Sequence, residues 1–343
     1  MYFDFAMPLT VFAVTMAAVL LNGKVEGKLK GAVEEREISV RDAVMLVAAI
    51  SVTVSLIVFI PQLAIMFIFL FAYSMLLFIF TLVFSDLKKS NAKLFSLTFL
   101  VISFLAGIVS LFSFGTNSIA TYGAIAFFCL GGFAFISLMY DENRTSVKER
   151  WYLAVLPPAL FILLYVFFGT TPIWFPYLLD VYGVVFAVLI TLYIGSLFTW
   201  RTTLIFVGLL TIMDTILVLY TGTMVSAATH VMVLRLPILV LIPTVPLITE
   251  GEGILYMSLG LGDFFFAGLI GIQSMKKFGR GFAILSLIAM TISFSIFEAL
   301  MLNYRLYALP GTLMMICGWL PLVLYKALST KLKAKSSLTE QGA

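Results

Sequence analysis

Eleven apolar runs of near-spanning length, separated mostly by short polar connections, decide what this chain can fold into. They cover residues 3–22, 43–60, 62–84, 94–112, 118–139, 152–168, 177–200, 202–220, 254–274, 281–301 and 306–326. A helix of about 20 residues crosses the roughly 30 Å hydrocarbon core of a bilayer. Lipid offers the backbone no hydrogen-bond partner, so each run must satisfy its own N–H and C=O groups as an α-helix. With 62% hydrophobic and 11% charged residues and a mean hydropathy of +1.13, soluble folds are set aside. The expectation is an all-α polytopic membrane protein with the lipid bilayer as its surroundings. The first run has no basic flank before it and no small-residue cleavage site after it, so it reads as a retained helix rather than a signal peptide.

Counting connections alternately puts 19 of the 21 Lys and Arg residues on one side, the exceptions being Arg235 and Arg305. That side should be cytoplasmic, which leaves the N-terminus outside and the C-terminus in the cytoplasm. Topology thus accounts for the net charge of +4, and no nucleic-acid partner is called for. The connection 23–42 mixes both signs and reads as a solvated linker, and the polar end from 328 reads as a frayed tail. Cys129 and Cys317 fall in different apolar runs and say little about redox compartment. No internal repeat is evident, which speaks against a transporter built from inverted halves. The chain divides into membrane helices over 1–176, a membrane core over 177–326 and a tail over 327–343.

One connection, 221–253, is long and external. Within it 233-VLRLPILVLIP-243 is β-branched and Leu-rich, too short to span and punctuated by prolines. It reads as an extended segment, a packed loop or an exposed strand edge. In the last case Leu236, Pro237, Ile238, Leu239, Val240 and Pro243 form a rail on which a partner strand could add.

Two acids lie deep in apolar runs, where an unpaired carboxylate costs several kcal/mol. Asp214 stands twelve residues beyond Thr202, and Asp263 eleven before Ser274. At 1.5 Å per residue both sit roughly 16 to 18 Å from the cytoplasmic ends of their runs, near one level. Asp180 and Glu298 lie nearer the outer ends, within reach of interfacial water, and read as structural or snorkelling. Two carboxyl groups around a water can divide the roles of general base and general acid, which hydrolyses amides without metal or cofactor. The only histidine, His230, is in the external connection, and no Cys/His spacing suggests zinc. Gly260 and Gly262 would let a backbone approach closely beside Asp263.

These motifs resemble the presenilin and signal peptide peptidase superfamily of intramembrane aspartyl proteases. Gly260, Leu261, Gly262 and Asp263 match its GxGD motif, in the commoner GLGD form. Asp214 falls where the family has its first catalytic aspartate, with Met213 replacing the usual tyrosine. Ala308, Leu309 and Pro310 stand where the family has Pro-Ala-Leu, with Tyr307 in place of the leading proline. The resemblance covers roughly residues 177–326. It implies a helical bundle of nine core helices, here with two more in the N-terminal half. It also implies Asp214 and Asp263 as the catalytic pair, transmembrane peptide segments as substrates, and no cofactor. The external placement of 221–253 matches signal peptide peptidase rather than presenilin, so type II membrane segments or remnant signal peptides are the expected substrates. A proton-coupled transporter or channel, a prepilin-type GxGD peptidase and an inert scaffold are the alternatives.

Overall fold

The computed structural model describes residues 2–32, 37–72, 74, 77–81, 87–113, 118–143, 150–250 and 253–340. Among them nine helices are long and apolar enough to cross a membrane, and the chain is an all-α polytopic membrane protein. In chain order the helices are α1 (Ala6–Ala32), α2 (Val40–Phe59), α3 (Gln62–Phe67), α4 (Lys89–Ser113), α5 (Ser118–Asn143) and α6 (Leu156–Phe168). They continue with α7 (Leu179–Leu197), α8 (Trp200–Thr215), α9 (Thr223–Val233), α10 (Leu261–Phe278), α11 (Arg280–Tyr304) and α12 (Gly311–Glu340). Four short strands, β1 (Leu239–Pro243), β2 (Thr249–Glu250), β3 (Gly253–Ile254) and β4 (Tyr256–Gly260), lie between α9 and α10. The third expected run begins as α3 and continues in a π-helical turn over Ile68–Ala72, but much of its remainder lies outside the described residues.

α10 is the axis of the bundle, packed by α1, α7, α8, α11 and α12. Every residue from 264 to 274 is buried, the pattern of a helix apolar on all sides. Small residues make the approach possible: a Cβ on Gly271 would come within 2.9 Å of both Val19 and Leu287. One polar side chain in this stretch has a defined task. The Gln273 amide donates to the carbonyls of Gly195 and Phe198, at 3.2 and 2.7 Å, where α7 ends and its last carbonyls lose helical partners. Away from this axis α4 and α5 pair along their length, with Ser96, Ser103 and Ser110 buried on α4. Such small residues let membrane helices pack closely. The outer faces of this pair carry Phe104, Leu105, Phe112 and Ile136 exposed, which suits contact with lipid.

Contacts between distant segments agree with the expected alternation of ends. Tyr2 and Asn303 exchange backbone-to-amide hydrogen bonds, and Phe5 N–H donates to Val245, which gathers the N-terminus, the end of α11 and the loop after β1. At the opposite end Lys276 pairs with Glu26 at 2.9 Å, and Ile38 N–H donates to Leu197. Three expectations are corrected. α1 runs on to Ala32, so much of the linker 23–42 is helical, and α12 runs to Glu340, so the tail is largely helical too. The tail is rich in Lys, Leu and Ala, good helix formers that can extend a helix beyond its apolar run, whereas α1 extends through Gly23, Gly27 and Gly31. The connection 221–253 contains a helix, α9, that its length alone did not suggest.

Asp4 ties the gathered end together. It is 1% exposed, and its carboxylate accepts from the N–H groups of Ala6 and Met7 at the start of α1 and of Val245. Asp4→Ala removes the helix cap and the loop tie together. It should cost about 2–4 kcal/mol, read as a lower unfolding midpoint in detergent, with Asp4→Asn recovering part of the loss.

Candidate active site

β1 and β4 pair antiparallel, with Val240 opposite Leu259 and Ile242 opposite Met257. The ladder is closed at its ends by Leu261 N–H to Ile238 and Thr244 N–H to Leu255. The far edge of β1 is also occupied, because Leu241 N–H donates to the Asp180 carboxylate at 2.7 Å. Asp180 is therefore structural, as expected, but the 233–243 run is not an open rail. Leu236, Pro237, Leu239 and Val240 are buried, and Ile238 and Pro243 half-buried. In this register the free edge belongs to β4: the backbone groups of Tyr256 and Ser258 point away from β1 and take no backbone partner among the described residues.

The free edge ends at Asp263. The expected spanning run 254–274 is in fact β4 followed by α10, with the extended Gly260 as the helix cap and Asp263 in the first turn. Burial alternates along β4, Met257 and Leu259 inward and Ser258 outward, a period that the apolar composition concealed. Within that turn the Gly260 N–H bonds back to the Asp263 carboxylate. A Cβ on Gly260 would sit 3.3 Å from Asp263 Oδ2, so the close approach expected there is present. Gly262 is exposed, and a Cβ there would meet open space, contrary to the expected crowding. Leu261 is buried and continues the ladder.

Asp214 lies near the end of α8, just before the backbone widens into a π-helical turn over Ile216–Tyr220. It is fourteen residues from the start of α8, and Asp263 is fifteen from the end of α10. At 1.5 Å per residue both stand about 21 to 23 Å from the same end of the bundle, so their levels match although both helices reach further toward that end than expected. Met213 is half-buried against the cluster containing Phe206, Phe265 and Leu269, forming an apolar wall beside the acids.

The start of α12 brings the two acids to one place. The expected last run 306–326 is non-helical until Pro310, and the helix begins at Gly311. Thr312 donates to Asp214 Oδ2 from its hydroxyl at 2.6 Å and from its N–H at 3.4 Å. Its neighbour Gly311 faces Asp263, where a Cβ would lie 2.6 Å from Oδ1. Consecutive Cα atoms are about 3.8 Å apart, so the two carboxyl groups sit side by side across one turn. Pro310 is buried above them, and Ala308 and Leu309 are half-buried. Residues Leu306 to Leu309 separate two cavities. One of about 520 Å³ lies toward Tyr256 and Ser258 of the β4 edge, and one of about 500 Å³ lies toward α9 and the π-helical turn.

Gly311 and Thr312 were not singled out from the sequence. Their signal was a Gly-Thr pair directly after the Ala-Leu-Pro turn, at the head of an apolar run. Glu298, expected beside interfacial water, is fully buried in α11, and neither of its carboxyl oxygens is hydrogen-bonded among the described residues. Among those residues no group of three or more His, Cys, Asp or Glu side chains could hold a metal ion.

Gly311→Ala should drive the start of α12 off Asp263 and lower stability by about 1–3 kcal/mol. Gly262→Ala meets no atom and should leave the unfolding midpoint unchanged or slightly raised, since Ala is the better helix former. Thermal unfolding of both variants in one detergent checks the contrast. Comparison of the chain with protein-family models, with curated proteins and with solved structures finds no match in any of the three.

Proposed function

We propose that the chain is an intramembrane aspartyl protease that hydrolyses peptide bonds within transmembrane segments, using Asp214, Asp263 and a water molecule. The observation that carries this reading is the meeting of both acids on Gly311 and Thr312. One carboxylate takes a proton from water as its oxygen attacks the scissile carbonyl carbon, and the partner carboxyl group donates to the carbonyl oxygen. Collapse of the tetrahedral intermediate breaks the C–N bond, and the departing amine leaves with a proton from the pair. No cofactor enters this reaction. The GxGD sequence at 260–263 and the Ala308–Pro310 turn, in their order along the chain, support the likeness to the presenilin and signal peptide peptidase superfamily.

A transmembrane substrate hides its carbonyls in helical hydrogen bonds, so it must unwind before attack. The free edge of β4 supports this step, because Tyr256 and Ser258 offer backbone partners to an extended segment leading to Asp263. The segment 306–309, between two cavities, is a second candidate wall. The charge count favours an external 221–253 connection, and hence type II membrane segments or remnant signal peptides as substrates.

A second reading, a proton-coupled transporter, draws on Glu298, a buried carboxyl group without a hydrogen-bond partner among the described residues and within electrostatic reach of Asp4. Mass spectrometry of a transmembrane peptide incubated with the purified protein separates the two. Asp214→Ala and Asp263→Ala should each abolish cleavage while the protein stays folded. Peptide cleavage that persists in both variants, or uptake into proteoliposomes lost in both without any cleavage, would replace the protease reading. The wild type should cut type II model peptides in preference to type I, and the reverse preference would invert the topology.

A further inference from the structure

We infer that Thr312 is a positioning residue for this reaction, orienting Asp214 through its hydroxyl; the inference rests on the protease reading. Thr312 is 3% exposed, and its short bond to Asp214 spans 98 positions of sequence. Other helical threonines in this chain behave differently. Thr15, Thr191, Thr211 and Thr215 each donate to the carbonyl four residues back on their own helix. Thr312 is in the first turn of α12, where no helical carbonyl lies four residues behind it, and its proton goes to the acid instead.

The consequence is an asymmetric pair. Asp214 Oδ2 takes both donors from Thr312, which restrains rotation of the carboxyl group and leaves Oδ1 as the oxygen without a protein donor among the described residues. Asp263 faces Gly311 of α12, which carries no side chain to donate to it, and is bonded at its own helix start by the Gly260 N–H. One acid is thus oriented across the bundle and the other within its own turn. A hydroxyl whose proton is committed to a carboxylate acts as an orienting donor rather than as a base. Its loss should therefore be felt at the chemical step rather than in substrate capture.

The test uses the purified full-length protein, a transmembrane model peptide that the wild type cleaves, and the variants Thr312→Val and Thr312→Ser. Val keeps the shape and removes the donor. It should lower kcat by roughly tenfold to a hundredfold with KM within about twofold, the loss expected for a hydrogen bond to a charged group. Ser restores the donor and should hold kcat within about threefold of wild type. Should Val fail to fold by its thermal midpoint, Thr312→Ala is read in the same way. Unchanged kcat in the donorless variant overturns the inference, as does a Ser variant as impaired as Val, which would make the methyl group the important part. A rise in kcat would show that the hydroxyl holds the pair closed, and would overturn it too. A wild-type protein that cuts no peptide removes the protease reading and this inference together, whereas a cleaving wild type matched by Val removes this inference alone.

Discussion

Eleven consecutive residues of α10 are buried, and the arrangement of the bundle follows from that burial. A helix apolar all round can be shielded only by helices on every side, and α1, α7, α8, α11 and α12 provide them. Because apolar side chains gain little over lipid by burial in protein, close packing has to supply the attraction. Gly271 lets Val19 and Leu287 approach from two helices at once, and Gln273 satisfies carbonyls that the end of α7 would otherwise leave bare.

The same helix has an exceptional start. Non-helical backbone is tolerated within a membrane protein where protein or a water-lined cavity surrounds it, and β1 and β4 meet that condition on one side. Among the described residues β1 has a partner on each edge, in β4 and in Asp180, while β4 has one. The open edge therefore lies on the strand that runs directly into Gly260 and Asp263. Only Leu261 and Gly262 separate the strand from Asp263, so under the proposed protease reading the strand edge, and not the pair of acids alone, has a part.

α12 completes that site from a third direction. Its first two residues have opposite properties: Gly311 supplies absence of bulk beside Asp263, and Thr312 supplies a donor to Asp214. Pro310 precedes them, buried, so the helix start is held against the acids by its own packing. The Ala308–Leu309 segment then runs between the two cavities, where it can contact what enters either of them.

Much of this could be read without coordinates. The length and hydropathy of the runs determine a helical membrane protein, because lipid leaves the backbone no alternative, and the cost of a carboxylate there singles out Asp214 and Asp263. Their common level follows from helix rise and survived the shifted helix ends. Apolar composition, however, cannot tell a buried strand from the first turns of a helix, so β4 was hidden inside the run 254–274 and the open edge was sought on β1. Nor does spacing along one chain reveal that Thr312, 98 positions from Asp214, donates to it. The sequence by itself determined the solvent, the helices and the two expensive acids, since each is a local energetic demand. Only the tertiary structure decided which strand edge stays open and which residues answer the acids, because those depend on how distant helices pack around α10.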